Sequence, residues 1–353
     1  MSEPGLGVPE RARAAVAGLC TGDAISWPSW WHRMGRLPDR REVRLGQAWQ
    51  HARDMRTTGL PTPYLQSSSP SLVDPAGPTD DAEWFTVAAR FHLGQLLDGS
   101  PAPEDRTVWT ELAELRAADE SAVRGRVATV ISLDNLAVGL APPASGNDTP
   151  HYFDDIACVR AVAAALVSPG RPGEAADRAD ADAVVTHALD GVWGARATAA
   201  LVASLLDGAA PADAETQALA QLPAESWVAH VVAECLDAVR PGDDPLRLAA
   251  RLEQTCVDHV YAYANQAPET LGLLLAHLRV SDSAEQLLLG ALAHPRHADG
   301  LVPLAGAVAG AAYGGPADGP LPTLIGTSVR ALEATSLDPV VDALLAGTPA
   351  ASR

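Results

Sequence analysis

Lysine is missing from this chain of 353 residues: every basic side chain is an arginine, and acidic residues outnumber them to leave a formal charge of −19. So negative a surface repels a phosphate backbone at long range, which argues against a nucleic-acid partner unless arginines gather locally. They gather at Arg33, Arg36, Arg40, Arg41 and Arg44, but Asp39 and Glu42 are interleaved. That stretch reads as a solvated mixed-charge face, with contact to the diphosphate of one small ligand as its other use. Cysteine is scarce, and Cys20, Cys158, Cys235 and Cys256 show no CxxC spacing, which argues against a zinc site and a disulfide framework and leaves buried free thiols. Apolar runs long enough to span a membrane are lacking, and Met1 to Arg13 is too polar and Pro/Gly-containing for a signal peptide. A cytoplasmic protein without a membrane partner is the expectation. Alternating β-branched stretches, a repeat of fixed period and a low-complexity linker are lacking too, which argues against sheets, solenoids and a clear domain boundary.

What is present is alanine and leucine at intervals of three and four residues. The pattern predicts helices over Arg11–Leu19, Asp81–Leu97, Ile156–Leu166, Ala181–Leu206, Ser226–Val239, Pro245–Cys256, Pro268–His277, Asp282–Ala293 and Pro303–Ala312. Pro/Gly clusters at 168–173, 207–211 and 241–245 separate successive helices by short connections. The fold class is therefore all-α, a single domain over residues 1–353 with its core at about 11–315 and a C-terminal helical extension at 316–353. Gly306, Gly310 and Gly314 fall on one helical stripe, where another helix can approach closely. The irregular stretch from Pro61 to Pro78 reads as an active-site loop.

Chemistry concentrates where that stretch ends. Thr79, Asp80 and Asp81 stand together at a helix start, and a hydroxyl with two carboxylates is the oxygen set that magnesium or calcium prefers. A structural use competes: Thr79 with Glu83 resembles a loose capping arrangement. A second polar segment, 142–155, brings His151, Tyr152, Asp154 and Asp155 to the start of the helix at Ile156, as groups for anion contact or acid–base work. There too the alternative is structural, with Asp154 as a cap and Tyr152 as packing. His187 and Asp190, three apart, are placed to share a helix face and pair. Trp27, Trp30 and Trp31 form an aromatic cluster suited either to stacking on a flat heterocycle or to packing.

Gly22-Asp23-Ala24, Thr79-Asp80-Asp81 and Asp299-Gly300 leading into Gly306–Gly314 resemble, in order and spacing, the "GDA", "TDD" and "DxDT…GAxxGAxYG" segments of the ADP-ribosylglycohydrolase family, over about residues 13–315. The resemblance implies a compact all-α fold with magnesium at the bottom of a cleft. Thr79, Asp80, Asp81 and Asp299 match the metal ligands, and Asp23 falls in the substrate-binding segment. Departures accompany it. His297 replaces the first aspartate of the C-terminal motif, Gly300 replaces the following Thr or Ser, and Trp30 stands where a glutamate is usual. They lead us to expect one magnesium ion, weakened binding of two, or none, with manganese as the other candidate. The implied activity is hydrolysis of an ADP-ribosyl or related N-ribosyl bond on an ADP-ribosylated protein or a small ADP-ribosyl metabolite. Asp80, Asp81 or Asp155 would position water, and Trp30, His151, Tyr152 and Asp154 would line the substrate. The alternative is a catalytically silent relative that binds ADP-ribose or another nucleotide. Oligomeric state is left open by the sequence.

Overall fold

A helix that is apolar around its whole circumference has to be wrapped by other helices, and the alanine-rich segments of this chain obey that rule. The computed structural model describes residues 6–33, 78–258, 263–294, 296–315 and 319–347, with backbone only for 27–33. Among the described residues there are fifteen α-helices and no extended strand. In chain order they are α1 Val8–Arg33, α2 Asp80–His92, α3 Val108–Ala118, α4 Val127–Ala137, the single turn α5 Ala144–Asn147, α6 Ile156–Leu166, α7 Pro172–Ala183, α8 Asp190–Leu206 and α9 Pro211–Leu219. Then follow α10 Trp227–Asp237, α11 Pro245–Thr255, α12 Ala267–Val280, α13 Ala284–Leu292, α14 Ala298–Tyr313, a 3₁₀ turn at Arg330–Leu332 and α15 Leu337–Ala346. The all-α expectation holds. None of the described helices is long and apolar enough to cross a membrane.

Four helices form the interior. Every residue of α6 is buried, and α8, α12 and α14 are buried along nearly all of theirs. α2 and α8 pack on α6, α10 packs on α12, and α15 closes over α1, α2 and α6. The most extensive pairing joins α1 to α14. A Cβ at Gly306 would collide with the backbone of Gly18, and one at Gly310 with the carbonyl of Ala14, so the backbones touch where the glycine stripe was expected to admit a neighbour. Gly314 ends the helix with φ +77°, a conformation that glycine adopts without strain.

The segment expected as one helix over Ala181–Leu206 is broken by a turn between α7 and α8, where Leu189 takes φ +45°. The break has a tertiary cause. Ala188 N–H donates to Tyr152 O, and Gly191 packs so closely on that carbonyl that any side chain there would collide with it. Three of the four cysteines are buried free thiols, whereas Cys256 is partly exposed. The Pro61–Pro78 stretch, apart from Pro78, and the arginines from Arg36 to Arg44 lie outside the described residues.

Candidate functional site

The site forms where the starts of α2, α4, α6 and α14 meet the middle of α1. Asp23 reaches from α1 to cap α2. Its Oδ2 accepts from the backbone N–H groups of Thr79 (2.7 Å) and Ala82 (3.0 Å), and its Oδ1 accepts from the Thr79 hydroxyl (2.6 Å). The Thr79–Glu83 cap does not form. Thr79 makes no side-chain cap bond, and Glu83 instead accepts from the backbone N–H groups of Thr327, Ser328 and Val329, tying the C-terminal segment to α2. With α2 capped in trans, Asp80 and Asp81 are free for other work. Carboxylate oxygens of Asp23, Asp80 and Asp81 lie within 4.8 Å of one another. Both oxygens of Asp81 are buried and accept no hydrogen bond among the described residues.

Opposite this triad sits Arg126, the residue that starts α4, which is 4% exposed. One guanidinium nitrogen donates to Asp155 Oδ1 in a short ion pair; the other donates to Asp299 Oδ2 at 3.1 Å and lies 3.5 Å from Asp81 Oδ1. Asp154 Oδ1 is 4.0 Å away. Asp155 also accepts from the Thr270 hydroxyl at 2.6 Å. A backbone pairing puts it there: Asp155 N–H donates to Asn265 O and Ala267 N–H to Phe153 O, joining the start of α6 to the start of α12. Gly300 now has a physical explanation. A Cβ at 300 would collide with the Asp155 carboxylate, so the Thr or Ser side chain of the family pattern is replaced in space by Asp155.

Asp154 accepts from Ile156 N–H and is paired with His187 at 3.0 Å. The ring is oriented from behind, because Arg160 donates to the Thr186 hydroxyl, which is 2.7 Å from His187 Nδ1. This network assigns the Nε2–H tautomer, donating to Asp154. His187 therefore does not pair with Asp190, whose Oδ1 accepts from Val228 N–H as the chain enters α10. His297 lies buried with Nε2 2.5 Å from Glu269 Oε2, outside the acidic triad. His151 stacks on Phe153 and meets Tyr263 edge-on, and Tyr152 is partly buried, with its carbonyl accepting from Ala188. Trp30 lies in α1, and its side chain is outside the described residues.

Electrostatics follow from crowding. Burial raises the carboxyl of Asp23 to about 7 against its hydrogen bonds. Burial, then the neighbours Asp299 and Asp23, raises Asp80; burial, then Asp80, raises Asp81. Burial works against the Arg126 charge, but Asp299, Asp81, Asp154 and Asp80 together outweigh it and raise its pKa. Asp154 is lowered: His187 and Arg126 overcome the penalty of burial. Gathering so many carboxylates around one guanidinium is tolerable only if protons or a cation complete the balance. The carboxylates of Asp23, Asp80 and Asp81, with the Thr79 hydroxyl beside Asp23 and no hydrogen bond to Asp81 among the described residues, are an oxygen set that fits a hard divalent ion.

An all-helical body with a buried acidic cluster at converging helix ends is a geometry that could hold a cation. The family model for ADP-ribosylglycohydrolase matches residues 5–350, and the chain belongs to that family. Among solved structures it is similar to one described as an ADP-ribosylglycohydrolase-related protein complex, at 19% identity and a TM-score of 0.56, covering 97% of this chain and 99% of that one. That likeness shows the fold. No curated protein sequence matches the chain.

The residue that sequence reasoning missed is Arg126. Its one signal is a charge at Gly125-Arg126, directly before the apolar run Val127-Ala-Thr-Val-Ile131.

Proposed function

We propose that this cleft hydrolyses the glycosidic bond of an ADP-ribosyl or related N-ribosyl group, on a protein or on a small dinucleotide-derived conjugate, with help from a divalent cation. The observation that carries the reading is Asp81, a wholly buried carboxylate with neither oxygen hydrogen-bonded among the described residues, set between Asp80 and Arg126. A divalent ion held by Thr79, Asp80 and Asp81 would supply fixed positive charge for orienting ribose hydroxyls. Magnesium suits this all-oxygen set, and manganese is the second candidate.

The chain's own groups do the rest. Cleavage through an oxocarbenium-like state needs negative charge near the anomeric carbon and a water held on one face. Asp80 and Asp299 are both buried beside Asp81, with Arg126 between Asp81 and Asp299. Asp80, beside Asp81 and within reach of Asp299, is our candidate for positioning that water. Asp155, saturated by Arg126 and Thr270, holds the floor of the site instead. Asp154 fixes the segment carrying His151 and Tyr152, the candidates for contact with the substrate beyond the ribose. Trp30 remains a candidate for stacking on a base. We further propose cytoplasmic residence, with neither nucleic acid nor membrane as partner.

A second reading, a silent binder of ADP-ribose, is favoured by Arg126 itself, because it already neutralises Asp155 and Asp299. One experiment separates the two. Free ADP-ribose is measured by mass spectrometry after incubation with ADP-ribosylated peptides, NAD and NAD-derived conjugates, in magnesium or chelator. Hydrolysis predicts magnesium-dependent release, lowered ~10²–10³-fold in Asp80→Asn and Asp81→Asn variants. No release, with ADP-ribose still raising the melting temperature, means the silent binder.

A further inference from the structure

We infer that the Arg126 guanidinium is a built-in cation occupying half of the acidic basin, so that the cleft takes a single exchangeable divalent ion, on the Asp80/Asp81 side. The inference shares with the proposed function the premise that Asp80 and Asp81 bind a cation, but it does not need turnover.

The geometry divides the basin in two. Asp23, Thr79, Asp80 and Asp81 form one half, with only the Arg126 nitrogen near Asp81 reaching toward it. Asp155 and Asp299 form the other, and the guanidinium fork lies between them, one nitrogen to each. A divalent ion joining Asp299 to the α2 carboxylates would need the space that this fork fills. A planar cation with donors on separate nitrogens spans three carboxylates from different helices, as a metal ion would, and it cannot dissociate. Gly300 corroborates the division. Its missing side chain admits the Asp155 carboxylate, the partner the guanidinium needs. His297 corroborates it too, since the residue at the place of the other aspartate is turned to Glu269 and supplies no anionic oxygen to the basin.

Manganese binding tests this, because it reports stoichiometry without any reaction. By calorimetry and electron paramagnetic resonance on the full chain, the wild type should bind one Mn²⁺ with the spectrum of an isolated ion. Arg126→Met opens the second half and should bind two, with a spectrum broadened by coupling between neighbouring ions. Its melting temperature without metal should drop, and Mn²⁺ should restore it by a larger shift than in the wild type. Arg126→Lys keeps a charge in place and should still bind one, which preserves the test if the Met variant does not fold. Two ions or none in the wild type, two in the Lys variant, or one in a folded Met variant would overturn the inference. A protein that binds one ion and releases no ADP-ribose leaves this inference standing while sinking the hydrolase reading.

Discussion

Asp81 is the clearest case of a side chain held in a state that does not suit the isolated fold. Buried beside Asp80, with no hydrogen bond to either oxygen among the described residues and only the Arg126 guanidinium at 3.5 Å, which it shares with Asp155 and Asp299, it costs stability when it is ionised without a further cation. Asp81→Asn should therefore raise the metal-free melting temperature, by the equivalent of ~1–3 kcal/mol, while abolishing the further rise that magnesium gives the wild type. Differential scanning in chelator and in magnesium reads both effects, and a variant less stable in chelator would mean that the Arg126 contact outweighs the cost of burying the carboxylate. Gly300 and Asp155 form a complementary pair. Gly300→Ala should cost ~1–3 kcal/mol by overpacking against the Asp155 carboxylate. In an Asp155→Ala background the cost should largely vanish, because the clash and its target are one contact. Denaturant titration of the four proteins measures the coupling. At this scale the sequence shows the acidic cluster and hides its counter-charge. Thr79, Asp80 and Asp81 are neighbours along the chain, whereas Arg126 finds Asp155, Asp81 and Asp299 only through the fold.

Helices determine which of those side chains meet. α1 carries Asp23 and α14 begins one residue before Asp299, so the fit of Gly18 against Gly306, and of Gly22 against Val302 and Pro303, sets the distance between two walls of the site. Gly306→Ala would gain ~1 kcal/mol of intrinsic helix propensity. Its Cβ would nevertheless meet the Gly18 backbone, which cannot rotate away as a side chain can. The net expectation is destabilisation by ~1–3 kcal/mol with weaker magnesium binding, seen together in urea titrations and calorimetry. A neutral or stabilising result would mean that the helices can part without consequence. The glycine stripe was legible because its spacing matches the helical period. α6 was legible to the residue, since its alanine run is bounded by polar groups on one side and a Ser/Pro/Gly turn on the other. α4 was not, because Val127, Thr129, Val130 and Ile131 are β-branched and favour strand locally, so that its helicity comes from packing against α3 and α5. Nor was the break before α8, whose one local mark is Gly191 and which is fixed by the Tyr152 carbonyl from a distant loop.

The whole molecule carries its charge in two layers, and they respond to acid in opposite senses. Burial lowers His92 to about 4 and His277 to about 3, and it lowers His187 and His297 as well. Unfolding lets these rings take up protons below about pH 6.5, so their contribution to stability is present at neutral pH and is lost as pH falls. The raised carboxyls act the other way. Asp23, at about 7, and the raised Asp80 and Asp81 hold protons in the folded state that the unfolded chain has already released. Their contribution is present at low pH and is lost as pH rises from about 4 towards 7. Without metal the two sets oppose each other, and stability should change little between pH 5 and 6.5. A bound divalent ion keeps the carboxylates ionised, which removes one set and leaves the histidines. Stability in saturating magnesium should therefore fall more steeply on acidification than stability in chelator, by ~1.4 kcal/mol per pH unit for each proton the ion displaces. Urea titrations at several pH values, with and without magnesium, give the two slopes. Parallel curves would mean that the ion binds without displacing protons, and that the crowded carboxylates of α1 and α2 do not hold it.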